Sequence, residues 1–507
     1  MPGTSDPYDL LVVGGGINGV GIARDAARRG LKVGLCEKGD LGGATSSASS
    51  KMIHGGLRYL EHFAFRLVRE SLTEREILLR MAPHLVRPMR FVLPHAAGSR
   101  PRWLVRTGLW LYDHIGGGRT LPPAQTARLR EGPYAAPLNG RAASGFLYSD
   151  CIVDDARLVV ANARDAARRG AEILPRTALI AARRDGALWR ATLRDAGGQR
   201  EIAARVLVNA AGPWVKAVQA SAGLSGRAGL RLVKGSHIVV PRLYLGDHAY
   251  LLQNDDRRVV FVIPFHGEFT LIGTTEAAFM GDPASVAVTE EEAAYLCRAV
   301  GNWFRDPPKP DDVVWDYAGV RPLYEDSARD ASAVSRDYHL EIDEAGAPAL
   351  SIFGGKLTTF RRLAETALAR LARHLPRMGT PWTAASVLPG GEDWPSGGAA
   401  AVAAELRRDH RLLDDATALR LAGTYGTDAR TFLAEGPGPD LGTGLSAAEL
   451  RWLVREEWAR TVEDVLWRRT KLGLGAGEIA PAVADCFARG FTPDAPAAAP
   501  LRQTPDP

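Results

Sequence analysis

LLVVGGGINGVGIARDAARRGLKVGLCEKGD, residues 10–40, is the stretch that decides the fold. A short apolar run at 10–13 passes through a glycine-rich turn into a segment with helical spacing at 20–29, then into a second apolar run at 31–36 that stops at Glu37. Strand, turn, helix and strand in that order make a βαβ unit, with G-x-G-x-x-G in its first turn. Gly14, Gly15, Gly16 and Gly19 permit the turn and the close approach of a pyrophosphate. Asn18 opens a helix whose N-terminus favours negative charge, and the Glu37 carboxylate can accept ribose hydroxyls. An acid at that position, in place of a base, argues against a 2′-phosphate and hence against NADP.

The next segment, ATSSASSKMIHGGLRYLEH at 44–62, sets small and hydroxyl residues before Lys51, His54, Gly55, Gly56, Arg58 and Tyr59. Small residues let backbone approach something large, and the polar groups after them can hold something charged. NAAGPWV at 209–215 and FGGKLTTFRRLAE at 353–365 also place small residues between a strand and a helix start. Three remote turns of this kind suit a long cofactor such as FAD better than a short one.

Length and composition bound the remainder. At 507 residues the chain is too long for one core, and two or three domains are expected. A net charge of +5 is spread along the sequence without a basic block, which excludes a nucleic-acid track and favours anionic small molecules or an anionic membrane surface. Cys36, Cys151, Cys297 and Cys486 form no CxxC, so no metal or iron–sulfur site is expected. No secretory leader and no spanning apolar run is read, which points to the cytoplasm.

Helical periodicity runs through 57–81, hairpin turns fall at 185–186 and 197–198, and 230–275 is strand-rich. After 389 the strand signal ends, and 399–473 reads as helical. The fold class expected is α/β, or α+β over the entire chain. A Rossmann-like FAD-binding domain is assembled from 1–83, 145–229 and 345–378. An inserted antiparallel-sheet domain, 84–144 plus 230–344, binds substrate and faces a membrane. An all-helical C-terminal domain covers 390–492, and a disordered tail covers 493–507.

In this order, VVGGGINGVGIARDAARRG, ATSSASSKMIHGGLRYLEH, FRLVRESLTEREILLRMAPHL, YSDCIVDDARLV, NAAGPWV, KGSHIVVPR, FVIPF, IGTT, GVRPL, FGGKLTTFR and WRRTKLG resemble the FAD-dependent glycerol-3-phosphate dehydrogenases of the aerobic, membrane-associated bacterial type. The resemblance covers nearly the entire chain. It implies FAD as cofactor, oxidation of sn-glycerol 3-phosphate to dihydroxyacetone phosphate, a quinone acceptor, and peripheral attachment to the inner face of the cell membrane, with a homodimer left open. It implies that the cofactor is bound by the fingerprint residues together with Thr45, Ser46, Ser47, Ser50, Lys51, His54, Gly55, Gly56, Ala178, Ala211, Gly212, Gly355, Lys356, Leu357 and Thr358.

The chemistry of alcohol oxidation asks for cations to hold a phosphate and a base to take the hydroxyl proton. Arg58, Tyr59, Arg321, Arg336 and Lys356 are the candidates for substrate contact, with Arg321 and Lys356 also catalytic. His237, in KGSHIVV, is the candidate base because histidine titrates near neutrality, and His54 competes with it. Finally, RPRWLVRTGLWLYDHIGGGR at 100–119 groups Arg102, Arg106 and Asp113 on one side of a helix, leaving a broad aromatic and aliphatic remainder suited to a headgroup layer or to burial.

Overall fold

The apolar run at 10–13 becomes the middle of a parallel sheet. Strand Tyr8–Val13 lies between Val33–Cys36 and Gly198–Asn209, with Leu10 opposite Val33 on one side and Val206 on the other. Glu172–Leu174 extends the sheet in parallel beyond Val33–Cys36, and Ala349–Phe353 does so beyond Gly198–Asn209. His339–Asp343 closes that edge antiparallel, and Ala178–Asp185 with Leu188–Asp195 folds back on Gly198–Asn209 as the turn dipeptides predict. Leu10, Leu11 and Val12 are fully buried, as strands covered on both faces require. Helix Ile17–Arg28 packs against helices Asp155–Arg168 and Phe360–Leu371.

The structure, a computed structural model, describes residues 6–489 apart from 97, 99, 119, 227, 257, 326–336 and 476–478. Among the described residues a second sheet of ten strands is built around Gly229–Pro241, which pairs antiparallel with Trp315–Glu325 from Gly229–Glu325 to Val239–Trp315. Phe269–Gly273, Val259–Phe265 and His248–Gln253 follow as a meander, then Val86–His95 in parallel, then Ser144–Val153 and Met52–Ile53. Ile238, Val240, Tyr250, Val260, Val262 and Ile272 bury one face against Leu296 and Val300 of helix Glu290–Gly301. The boundaries read at 83 and 145 put Met52–Ile53 and Ser144–Val153 with the cofactor-binding part. Backbone pairing carries both into the second sheet, so the serine-rich loop bridges the two sheets.

The periodicity over 57–81 is one continuous helix in the sequence and two elements in the structure. Leu57–His62 is a 3₁₀ turn, Phe63 adopts the left-handed conformation at φ 54°, and the α-helix runs only from Phe65 to Met81. The amide of Ala64 donates to Tyr59 O (3.0 Å), closing the turn that carries Arg58 and Tyr59. Tertiary placement has overridden a good helical pattern.

Among the described residues, one compact unit comprises those up to Met81 together with Val86–Ser386, and a second comprises Ala82–Leu85 with those from Val387 onward. The second is helical. Leu450, Leu453, Val454, Val465 and Leu466 lie inside its own core, so the apolar face of 449–466 is internal packing. Arg420 makes a two-pronged ion pair with buried Glu449 (2.6 and 2.7 Å), which also accepts from the Tyr425 hydroxyl (2.7 Å).

Candidate active site

The fingerprint turn is shaped by contacts that only glycine permits. A Cβ on Gly19 would lie 1.9 Å from the Gly14 carbonyl oxygen, so the helix start and the turn touch backbone to backbone. Gly14 N donates to Cys36 O (2.8 Å). The Glu37 carboxylate is fixed by two amides, Gly15 N and Gly39 N, each at 2.7 Å. Burial pushes its pKa up while the two amides oppose that shift. Ser46 Oγ accepts from Ile17 N at the helix N-terminus (3.0 Å).

Other predicted cofactor residues border this turn. Ala210 N donates to Val13 O (2.9 Å), which seats Ala211 and Gly212 beside Gly14. Ala178 follows Thr177, whose amide donates to Glu37 O (2.7 Å). Asn18 Nδ2 donates to Gly354 O (3.2 Å), bringing Gly355, Lys356, Leu357 and Thr358 to the same mouth. A cradle closed to a Cβ and a preoriented carboxylate together fit the pyrophosphate and ribose of FAD.

The loop 44–51 is braced from three directions. Thr45 Oγ1 donates to Val320 O (2.6 Å), and Ser49 donates through Oγ to Asp155 (2.7 Å). Tyr317 donates its hydroxyl to Ser49 O (2.9 Å) while its ring stacks on His237 at 4.9 Å. Ser50 Oγ hydrogen-bonds His237 Nε2 (2.9 Å). Lys51, 4% exposed, pairs with Asp155 (2.8 Å), donates to Ser47 O (3.0 Å) and sits over the Tyr317 ring. Its ammonium is therefore engaged within the protein, and it holds the loop in shape.

Breaking a buried pair strands an uncompensated charge. Asp155→Ala is expected to cost about 3–5 kcal/mol, read as a lower urea midpoint with unchanged slope. Lys51→Met with Asp155→Leu should recover most of that loss.

Immediately beyond lies the HGG-x-R-Y segment. His54 N donates to Thr358 Oγ1 (3.2 Å), tying the segment to the 353–359 turn. Gly56, at φ 75°, turns the chain into the 3₁₀ element that presents Arg58 and Tyr59. Lys356 Nζ lies 4.0 Å from the centre of the Tyr59 ring. His54 is half-buried, and neither of its ring nitrogens has a hydrogen-bond partner among the described residues. Burial, then the charges of Lys356 and Arg75, pull its pKa down to about 4. Arg58 is half-buried and has no carboxylate partner among the described residues.

His237 is the more enclosed of the two histidines, at 2% exposure, and burial, Lys51 and Arg321 hold its pKa well below the usual value. Arg321 lies over Gly235, where a Cβ would meet its guanidinium at 2.5 Å and Thr274 Oγ1 at 2.8 Å. Its Nη1 is 3.7 Å from Glu276. Arg336 falls outside the described residues. The sequence reading missed Asp155, Tyr317, Thr274 and Glu276. Asp155 bonds Ser49 and Lys51 from more than 100 positions away and Tyr317 bonds Ser49 from 268, so no local spacing reveals either.

The profile of the FAD dependent oxidoreductase family matches residues 9–361, and that of the C-terminal domain of alpha-glycerophosphate oxidase matches 382–495. The chain is 51% identical over 479 residues to a glycerol-3-phosphate dehydrogenase of Pseudomonas aeruginosa, covering 93% of each. It is 49% identical to a D-erythritol 1-phosphate dehydrogenase of Brucella abortus, covering 91% of this chain and 94% of that one. The solved glycerol-3-phosphate dehydrogenase from Bacillus halodurans, complexed with FAD, superposes with a TM-score of 0.76 at 28% identity, over 96% of this chain and 91% of that one. With a dinucleotide cradle fitted for FAD and likeness of this extent over both parts of the chain, the protein belongs to the FAD-dependent glycerol-3-phosphate dehydrogenase family.

Proposed function

We propose that the protein oxidises sn-glycerol 3-phosphate to dihydroxyacetone phosphate and delivers the electrons to a membrane quinone. The observation that carries this reading is Arg58, a half-buried guanidinium without a carboxylate partner among the described residues, next in sequence to the Tyr59 ring that Lys356 covers. Two cations held beside the dinucleotide loops suit a phosphate dianion. FAD, when bound, supplies the acceptor for the hydride on the alcohol carbon. The chain's own residues hold the phosphate and take the hydroxyl proton, so that a carbonyl remains.

His54 suits the base better than His237. The Nε2 of His237 is committed to Ser50, and its ring is sandwiched against Tyr317. His54 is depressed first by burial and then by positive charge from Lys356 and Arg75, and a bound dianion offsets that charge and raises its pKa toward the working range. Arg321, flanked by Thr274 and Glu276, supports the substrate from the second sheet.

The test is the visible spectrum. Without oxygen, glycerol 3-phosphate should bleach the bound flavin faster than D-erythritol 1-phosphate, the substrate named for the Brucella relative. Preference for the tetritol phosphate would transfer the assignment to it. Reoxidation by quinone without stoichiometric peroxide tests the acceptor.

Membrane docking fits helix Arg102–His114. Leu109 and Tyr112 point inward, while Trp103 and Trp110 are 69% and 60% exposed and Leu104 is also exposed. The apolar remainder expected from the sequence thus divides between core and surface. Phe63, 78% exposed, and Phe65 add to the surface just after the adjoining 3₁₀ turn, which Glu61 ties to Arg100 at 2.7 Å. No described helix is long and apolar enough to cross a membrane. Exposed aromatics beside arginines suit the interface of an anionic bilayer, the inner leaflet in this reading. Trp103→Ser with Trp110→Ser should weaken co-sedimentation with anionic vesicles about tenfold per side chain, from roughly 1.5 kcal/mol of burial each. Turnover of a soluble substrate with a soluble dye should not change.

A further inference from the structure

We infer that Tyr112 is a positioning residue for the substrate site, acting through the Gly55 amide; this rests on the reading of His54, Arg58 and Tyr59 given above. The amide of Gly55 is buried and donates to the Tyr112 hydroxyl oxygen at 2.7 Å, across 57 positions of sequence. It stands between His54 and Gly56, the residue whose left-handed conformation starts the turn bearing Arg58 and Tyr59. A shift of this one peptide displaces the candidate base on one side and the phosphate-binding residues on the other.

The acceptor is itself held. Tyr112 donates to Asp150 (2.8 Å to Oδ2), which pairs with Arg75 (2.9 Å). Arg75 also donates to Ser149 O (3.0 Å) and pairs with Glu76 (2.9 Å), and Glu76 accepts from the Thr120 hydroxyl (2.6 Å). A donor on one side and a carboxylate on the other leave the phenol a single orientation, with its oxygen toward Gly55. The fit is close, since a Cβ on Gly55 would lie 2.7 Å from that oxygen and 2.6 Å from Leu72 Cδ2. Packing alone would need only the ring. The hydroxyl oxygen joins the Asp150 carboxylate to the backbone next to His54, and the Gly55 amide also interacts with that carboxylate.

Burial and the neighbouring carboxylate raise the phenol's pKa well above its ordinary value, so it stays a neutral donor throughout the physiological range. The arrangement is the kind in which a small displacement of reacting groups costs rate without loosening a cofactor gripped chiefly at the Gly14–Gly19 turn.

The experiment is anaerobic rapid mixing of the FAD-loaded protein with glycerol 3-phosphate. Wild type is compared with Tyr112→Phe, which keeps the ring, and with Tyr148→Phe, which removes a buried hydroxyl from the ring beside it, 6.2 Å away. Tyr112→Phe should slow the limiting rate of flavin bleaching about 10- to 100-fold with FAD affinity unchanged, while Tyr148→Phe keeps the wild-type rate. Asp150→Asn, which leaves the phenol but removes the charge that orients it, should slow the same step by a smaller factor and serves if Tyr112→Phe does not fold. A wild-type bleaching rate in Tyr112→Phe, or in Asp150→Asn where that variant is used, overturns the proposal, as does an equal slowing in Tyr148→Phe. A wild-type flavin that glycerol 3-phosphate does not bleach overturns the site reading and this proposal together.

Discussion

Gly19→Ala is expected to yield a colourless protein. The methyl group would enter 1.9 Å from the Gly14 carbonyl oxygen and 3.1 Å from its carbon, and both are backbone atoms that cannot swing aside. Relief requires either helix Ile17–Arg28 to move away from the sheet or the Gly14 peptide to rotate. That peptide is pinned through Gly15 N, which donates to the Glu37 carboxylate (2.7 Å), while Gly14 N is held by Cys36 O and the Ala210 carbonyl oxygen lies 2.5 Å from where a Gly14 Cβ would be. Each escape flattens the concavity that receives a pyrophosphate. Gly30→Ala is the control, because Gly30 has φ 84° but nothing within 4 Å of an added Cβ. It should lose about 1 kcal/mol of stability and keep its full complement of flavin. The measurement is the flavin-to-protein ratio after purification, followed by titration with FAD. A yellow Gly19→Ala protein at full occupancy would show that the turn does not grip the cofactor.

The second large effect is expected at His54. His54→Gln should reduce the limiting rate of flavin bleaching by about 100- to 10,000-fold, the usual contribution of a positioned base. FAD and stability should be retained, because the imidazole makes no hydrogen bond among the described residues that its loss would break. His237→Gln should do the reverse, lowering the melting temperature by releasing Ser50 and the stacking on Tyr317 while slowing the chemistry less. The pH dependence follows from the sign of the shift. A histidine held at about 4 is neutral at every ordinary pH. Substrate phosphate raises that value, so the rate at saturating substrate should fall as pH drops through the raised pKa, and His54→Gln should flatten that limb. A larger loss in His237→Gln than in His54→Gln would return the base to His237.

How much of this was legible beforehand depended on the range of the interactions. The first βαβ unit is local: glycines, helix and acid lie within 30 residues and read directly. The helical unit reads equally well because its core is amphipathic spacing within single helices. The second sheet read as a strand-rich antiparallel insertion, but its pairing did not, since its strands come from residues 52 to 325 and no periodicity says that Val86–His95 runs parallel beside His248–Gln253. Phe63 sits inside a good helical pattern, and only the tertiary placement of Arg58 and Tyr59 reveals why the helix stops there. Lys51 shows the same limit at the site: its motif places it beside a cofactor, but its charge belongs to Asp155, 104 positions away. His237 and His54 are chemically equal as letters, and their burial and partners separate them.

The parallel sheet also has a consequence for biosynthesis. Strand Gly198–Asn209 receives its outer neighbour from Ala349–Phe353, and helix Phe360–Leu371 later covers helix Ile17–Arg28. For the entire interval in which some 140 residues are being added, the nascent half-sheet carries an open edge and an uncovered helix face. Translation pauses within that window, or shortage of a holdase to shield it, should therefore send the chain to aggregates more readily than a pause after residue 371.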